Sequence, residues 1–409
     1  MKKVVIIGGG AAGLMAAVSA CETGNRVTVV EKKTKPARKV LITGKGRCNV
    51  TNNCDNETLI SNMTKNGRFL HSAFAKFNTG DTMRFFESNG VPLKTERGNR
   101  VFPVSDKAVD IVDALVKATV KSGTEIKQGR VVDILTAENE VKGVVLEDGT
   151  KLPADAVIIA TGGKSYPATG SDGDGYILAE KLGHTVTEIL PSLVPLKIHE
   201  GFCTKLMGLS LKNVTLSVFE EGRKKPVFVE LGEMLFTHFG ISGPLVLSAS
   251  AHMRKMGSKP YTIKIDLKPA LSCEQLDKRI QRDFSENTNK NFANSLDKLL
   301  PQKLIPVIVN LSGIEGDTKV NQITRTDRVR LCTVLKELTL HPTGFCDISE
   351  AIVTSGGISI KEINPADMQS KLINGLYFAG EIIDVDAYTG GFNLQIAFST
   401  GNLAGGSIK

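Results

Sequence analysis

The residue types and spacings at the start of this chain suit the binding of a dinucleotide. An apolar run, Val4-Val5-Ile6-Ile7, leads into Gly8-Gly9-Gly10-Ala11-Ala12-Gly13, and a second apolar run, Val27-Thr28-Val29-Val30, ends in Glu31. Gly8 permits a tight turn, and Gly10 lets the backbone approach a pyrophosphate. Gly13 lets the following helix lie close against the strand, and the helix start at Ala11 and Ala12 offers free N–H groups to phosphates. Glu31 can accept both hydroxyls of an adenosine ribose, and its charge disfavours a 2′-phosphate there. The strand before the glycines, the helix after them and the acid at this distance make the pattern specific. Lys2 and Lys3 ahead of a stretch ending Val18-Ser19-Ala20-Cys21 also look like a short export signal. Three consecutive glycines interrupt that stretch, and cleavage would destroy the whole unit, so the export reading fails.

Other reactive side chains are dispersed. The 7 cysteines are scattered without paired spacing, which points to a reducing compartment and hence the cytoplasm. Cys48 and Cys54 have five residues between them, unlike the two or four of flavin-linked redox dithiols, and read as ordinary thiols. The 6 histidines and the cysteines never fall at ligand spacing, so no metal site is expected. Between residues 30 and 50, Lys32, Lys33, Lys35, Arg38, Lys39, Lys45 and Arg47 face the single acid Glu31, suited to neutralising a bound pyrophosphate. Without interleaved aromatics this segment does not read as a nucleic-acid stripe, but the net charge of +8 and a second basic stretch over 251–310 motivate a flavin-bearing tRNA-modifying or nucleic-acid-binding protein as an alternative. No apolar run is long enough to span a membrane.

The elements that must position these residues follow from periodicity. Helical patterns fall over 60–74, 79–89 and 107–122, and strands over 125–135, 140–146 and 156–161. From about residue 190 short alternating strands take over. Ser272 and Gln275 then form a capping box ahead of a helix, and further helical patterns cover 292–300 and 325–338. Strand-like, glycine-rich sequence returns near 343, and a final helix begins near Leu394. At 409 residues the chain should hold more than one domain. The expected fold is α/β: a Rossmann-like FAD-binding domain built from both chain ends (1–190 and 341–409), with an inserted β-rich subdomain (191–268) and a small helical subdomain (269–340).

Two further signals choose the cofactor. Leu376-Tyr377-Phe378-Ala379-Gly380-Glu381 and Ala160-Thr161-Gly162-Gly163 are strand ends of the kind that line FAD in two-dinucleotide-binding flavoproteins. Together with the glycine turn they favour FAD over NAD, and no second Gly-x-Gly-x-x-Gly unit offers a resident NAD(P)H site. Gly170, Gly173 and Gly175 form a helix-opening loop that reads as a wall of the flavin site. The chain resembles the BaiN/YhiN-like NAD(P)/FAD-dependent oxidoreductases through four stretches. These are Gly44-Lys45-Gly46-Arg47-Cys48-Asn49-Val50-Thr51-Asn52, Tyr166 to Gly175, Met234 to Pro244, and Ala379 to Gln395.

The resemblance implies roles residue by residue. Arg38 and Lys39, with Lys32, belong near the pyrophosphate and adenosine, and the backbone of Val131 pairs with the adenine. Thr43, Gly44, Gly46, Arg47 and Asn49 wrap the ribityl and flavin end, where Thr161, Gly162, Gly380, Glu381 and Asp384 also belong. Gly391, Phe392, Asn393 and Leu394 open the last helix toward the flavin. Tyr166 and His238 are the candidate catalytic side chains. The implied activity is FAD-dependent hydride transfer with a small or hydrophobic organic substrate, NAD(P)H serving as transient donor. An amine oxidase using oxygen, and a flavin-dependent tRNA-modifying protein, are the alternatives. The oligomeric state is not readable.

Overall fold

A computed structural model describes residues 1–286 and 288–409, and the chain forms two compact units, 1–192 with 347–409, and 193–346. The first unit is organised by a five-stranded parallel sheet. Its strands run in the order Leu376–Phe378, Ala156–Ile159, Lys3–Ile7, Arg26–Glu31, Glu125–Gln128. The three inner strands read as unbroken apolar runs because both sheet faces are covered. Val4, Ile6, Val29, Val157 and Ile158 are all essentially inaccessible to water.

The first helix (Ala11–Glu22) and the last (Phe392–Gly406) pack with their backbones nearly touching. A Cβ on Gly401 would lie 2.3 Å from the Ala12 carbonyl oxygen, and one on Gly405 would lie 2.1 Å from that of Ala16. Glycine is therefore required on the last helix wherever it crosses the alanines of the first. A buried polar network fixes the other side of that helix. Gln395 Oε1 accepts hydrogen bonds from the hydroxyls of Thr51 (2.6 Å) and Thr82 (2.9 Å), and its amide donates to Ser399 (2.9 Å).

Two expected elements divide. The strand foreseen over 125–135 splits at Gly129-Arg130. Glu125–Gln128 joins the parallel sheet, and Val131–Ala137 joins a three-stranded antiparallel sheet with Glu140–Leu146 and Lys151–Pro153. The helix foreseen over 60–74 is interrupted where Asn66 takes a left-handed conformation (φ 54°). Met63–Lys65 forms a short strand there that pairs with Asp386–Ala387. Apolar spacing alone does not register such a break.

The second unit is a seven-stranded antiparallel sheet whose longest strands are Ser210–Glu220 and Phe228–Phe236. Helices Cys273–Ser285, Ile305–Ser312 and Arg325–Lys336 share one apolar core with it. Capping boxes at Ser272/Gln275 and Thr324/Asp327 start two of them. Among the described residues no helix is long and apolar enough to cross a membrane.

Candidate cofactor site

A cavity of about 750 Å³ opens in the first unit at the carboxyl ends of the parallel strands. Gly8, Gly10, Ala11 and Ala12 line it where the first strand turns into the first helix. Gly8 has φ 103°, and an added Cβ would meet the Ala160 oxygen at 2.7 Å. A Cβ on Gly10 would meet nothing within 4 Å. The helix start carries no side-chain cap and no acid in its first turn, so its N–H groups remain available to an anion. Gly13 lies outside the lining. Its Cβ would fall 1.9 Å from the Gly8 oxygen, so its task is close helix–strand packing.

Glu31 and Lys32 line the cavity where the second strand ends. One Glu31 oxygen accepts the Gly9 N–H (2.7 Å) and the other that of Lys33 (2.8 Å), which leaves each oxygen further acceptor capacity. The Lys32 ammonium donates to Asp172 (2.5 Å) and Asp174 (2.9 Å), and Arg130 bonds both oxygens of Asp174 (3.0 and 3.1 Å). Burial alone would raise the Asp174 carboxyl, but its bonds with Arg130 and Lys32 outweigh that and hold it at about 2. Val131 follows Arg130 in the same wall.

Arg38, Lys39, Thr161, Gly162, Gly380 and Glu381 also line the cavity. Lys39 donates to Glu381 (2.7 Å) and Ser165 (2.6 Å), and the second Glu381 oxygen accepts the Thr354 N–H at 2.8 Å. Thr43, Gly44, Arg47 and Asn49 face it together with Gly391, Asn393 and Leu394. Arg47 is held by Glu96 and Asp106 and lies 4.2 Å over the Phe102 ring. A Cβ on Gly391 (φ 97°) would strike the Thr51 backbone at 2.4 Å, so only glycine lets the last helix begin there. That helix start, too, lacks a side-chain cap or acid.

Tyr166 reaches the cavity from a left-handed backbone (φ 52°), a strained conformation for a bulky residue. Its hydroxyl has no hydrogen bond among the described residues. Gly46, Asp384, Phe392 and His238 stand outside the lining. Asp384 is buried against Lys65 (2.6 Å) and Asn66, and Phe392 is packed in the core. His238 is an exposed hairpin residue of the second unit, with its ring edge-to-face on Phe239. Sequence reasoning passed over Arg100, Phe102, Arg130 and Asp174 as wall residues. Of these, Arg130 and Asp174 lay inside stretches singled out for their neighbours; the other two carried no local signal.

Residues 2–407 match the model of a protein family described as the HI0933-like protein Rossmann domain. A 3-dehydro-bile acid delta(4,6)-reductase of Clostridium scindens is 33% identical over 99% of this chain and 98% of that protein. A ribosomal RNA dihydrouridine synthase of Escherichia coli is 30% identical over 97% of this chain and 95% of that protein. The chain belongs to the HI0933-like Rossmann family. It is an FAD-dependent oxidoreductase of that family, as the BaiN/YhiN-like motifs led us to expect. The 3-ketosteroid delta1-dehydrogenase of Sterolibacterium denitrificans has the same fold at 13% identity, covering 99% of this chain and 98% of that one, with a TM-score of 0.52.

The cavity suits the family's cofactor on its own evidence. Asn49 Oδ1 and Thr161 Oγ1 are buried without a hydrogen-bond partner, and both residues line it. A buried polar atom left unpaired is costly, so a polar ligand is the natural partner for each. Two uncapped helix starts and the Glu31 carboxylate complete a set of donors and acceptors matched to pyrophosphate, flavin and ribose.

Burial pushes the Cys48 thiol up to about 12, and burial together with Asp55 pushes that of Cys54 up to about 11. Both are free, and Cys48 is inaccessible to water.

Proposed function

We propose that the chain reduces a carbon–carbon double bond conjugated to a carbonyl. The observation that carries this is the chemistry shared by two relatives' names, each matched along nearly the whole chain. A delta(4,6)-reductase of a 3-dehydro-bile acid and a dihydrouridine synthase both add two hydrogens across such a bond. Bound FAD, once reduced, would supply the hydride, and the protein's own residues would supply placement and a proton. In this reading Glu31 and the Gly8–Gly13 turn hold the adenosine and pyrophosphate, and residues 43–49 and 391–394 hold the flavin end. The hydride goes to the carbon remote from the carbonyl, and Tyr166 gives a proton to the neighbouring carbon. NADH or NADPH, visiting transiently, restores the two electrons. Anaerobic mixing with NADH or NADPH should bleach the flavin, and amines should not; bleaching by amines with peroxide release in air would favour the oxidase instead.

A second reading, with an RNA base as substrate, is favoured by the name of the E. coli relative and by one surface. At one end of the second unit's sheet, Arg223, Lys255 and Lys259 gather within 3.5 Å of the buried Glu220 carboxylate. Lys224 and Lys225 extend the cluster on the exposed turn. Glu220 and its exposed neighbour Glu221 cannot neutralise five cations, and the surplus suits a phosphate backbone. Salt-sensitive binding of ribosomal RNA, lost in Lys224→Glu/Lys225→Glu, would support this reading; equal binding by the variant would reject it.

A further inference from the structure

The cations around the cavity divide by partner. Lys32, Lys39, Arg47 and Arg130 each hold a carboxylate. Lys35, Arg38, Lys45 and Arg100 also line the cavity, and among the described residues none of these has an acidic partner. Lys35 and Arg38 flank Ala37, whose N–H donates to the Gly9 oxygen at 2.8 Å. They therefore belong to the glycine turn, where the two negative charges of a pyrophosphate would sit. Lys45 and Arg100 are left with no charge in the cofactor to match, because the isoalloxazine and ribityl parts of oxidised FAD are uncharged.

These two cations share a neighbourhood. The Arg100 guanidinium carbon is 6.0 Å from the centroid of the Phe102 ring, and a Cβ on Gly44, next to Lys45, would lie 3.4 Å from the same ring. Arg47, already neutralised, stacks on that ring at 4.2 Å and holds it in place. Lys45 keeps a left-handed backbone (φ 58°), where glycine would be free of strain. The only side-chain hydrogen bond Arg100 makes among the described residues runs from its Nε to the Arg97 oxygen, so its terminal nitrogens are available.

We propose that Lys45 and Arg100, beside the Phe102 ring, form a subsite for an anionic oxygen group of the substrate. That group is a carboxylate or a phosphate carried at a distance from the double bond. The assignment rests on the reading that the cavity holds FAD and reduces an organic substrate.

The test is a binding titration of the oxidised, FAD-loaded protein, followed by the shift in flavin absorbance with no electron donor present. Two probe pairs differ in whether they carry the anionic group: a 3-oxo-4-ene steroid carboxylic acid against its methyl ester, and uridine 3′-monophosphate against uridine. The charged member of one pair should bind about tenfold tighter or more, the strength of a charge-assisted contact. Lys45→Gly combined with Arg100→Gln should bring that ratio to within about twofold while flavin content is retained. Both side chains are exposed, and the glycine relieves strain, so the variant should fold. In the unaltered protein the same ratio should shrink as salt rises. The pair that responds identifies the group as carboxylate or phosphate. Equal binding within both pairs, or a preference that survives in the double variant, overturns the subsite. If the probes that bind charge-selectively are still not reduced once NADH or NADPH is added, the reductase reading falls and the subsite stands.

Discussion

At the scale of single residues, Glu31 and the cavity's ion pairs make the sharpest claims. Glu31→Ala removes an acceptor for the ribose and also frees the Gly9 and Lys33 N–H groups. FAD affinity should fall by about 10- to 100-fold, the effect of one or two charge-assisted hydrogen bonds, measured as flavin content after dialysis. Asp174 gives a pH signature. Its folded value of about 2 lies below the ordinary carboxylate range, so its ion pairs with Lys32 and Arg130 are intact above about pH 4. They are lost as pH falls from about 4 toward 2, and FAD release should accelerate in that window. Asp174→Asn should release FAD faster at neutral pH and flatten the dependence, as stopped-flow flavin fluorescence can show. Cys54→Ser should leave flavin content nearly unchanged, and alkylation of the native protein should fall on the exposed Cys273 and spare the buried Cys48. Glu31 was legible from sequence because its job is set by distance from a glycine turn. The Lys32–Asp174–Arg130 cluster was not, because three chain segments meet there and no local pattern records the meeting.

Among the elements, the last helix has the least freedom. Gly401 and Gly405 meet the carbonyls of Ala12 and Ala16, and the Gln395 network ties its first turns to Thr51 and Thr82. Gly405→Ala must push two helices apart and should cost about 1–3 kcal/mol, read as a lower denaturant midpoint at unchanged slope. Gln395→Leu leaves both threonine hydroxyls without their buried acceptor and should cost a similar amount, about 1–3 kcal/mol. Sequence pattern found this helix but not its role as a spacer, since its low amphipathicity comes from burial on every side. The same limit explains the split strand at Gly129-Arg130 and the helix broken at Asn66. Periodicity reports which residues are apolar; it does not report which sheet a strand joins or where the backbone turns left-handed.

For the molecule as a whole, the two chain ends build one unit, and the glycine turn, the Thr161-Gly162 strand end and the Gly380-Glu381 turn converge on a single cavity. Those three motifs were readable because each is local and each has a fixed geometric task. Tyr166 was readable too, through the motif it opens, whereas Phe102 and Arg100 were not, because only tertiary contacts bring them to the cavity. Tyr166→Phe should keep FAD and slow substrate reduction by about 10²–10⁴-fold if its hydroxyl delivers the proton. The most direct test of the reductase reading is a single anaerobic turnover. The FAD-loaded protein is photoreduced and mixed with a 3-oxo-4-ene steroid acid or with uridine-containing RNA, and flavin absorbance and product mass are followed together. We expect the oxidised flavin spectrum to return with one of the two, and that product to gain two hydrogens. A flavin that stays bleached with both, but is reoxidised by an imine or by oxygen with peroxide formation, would contradict the account.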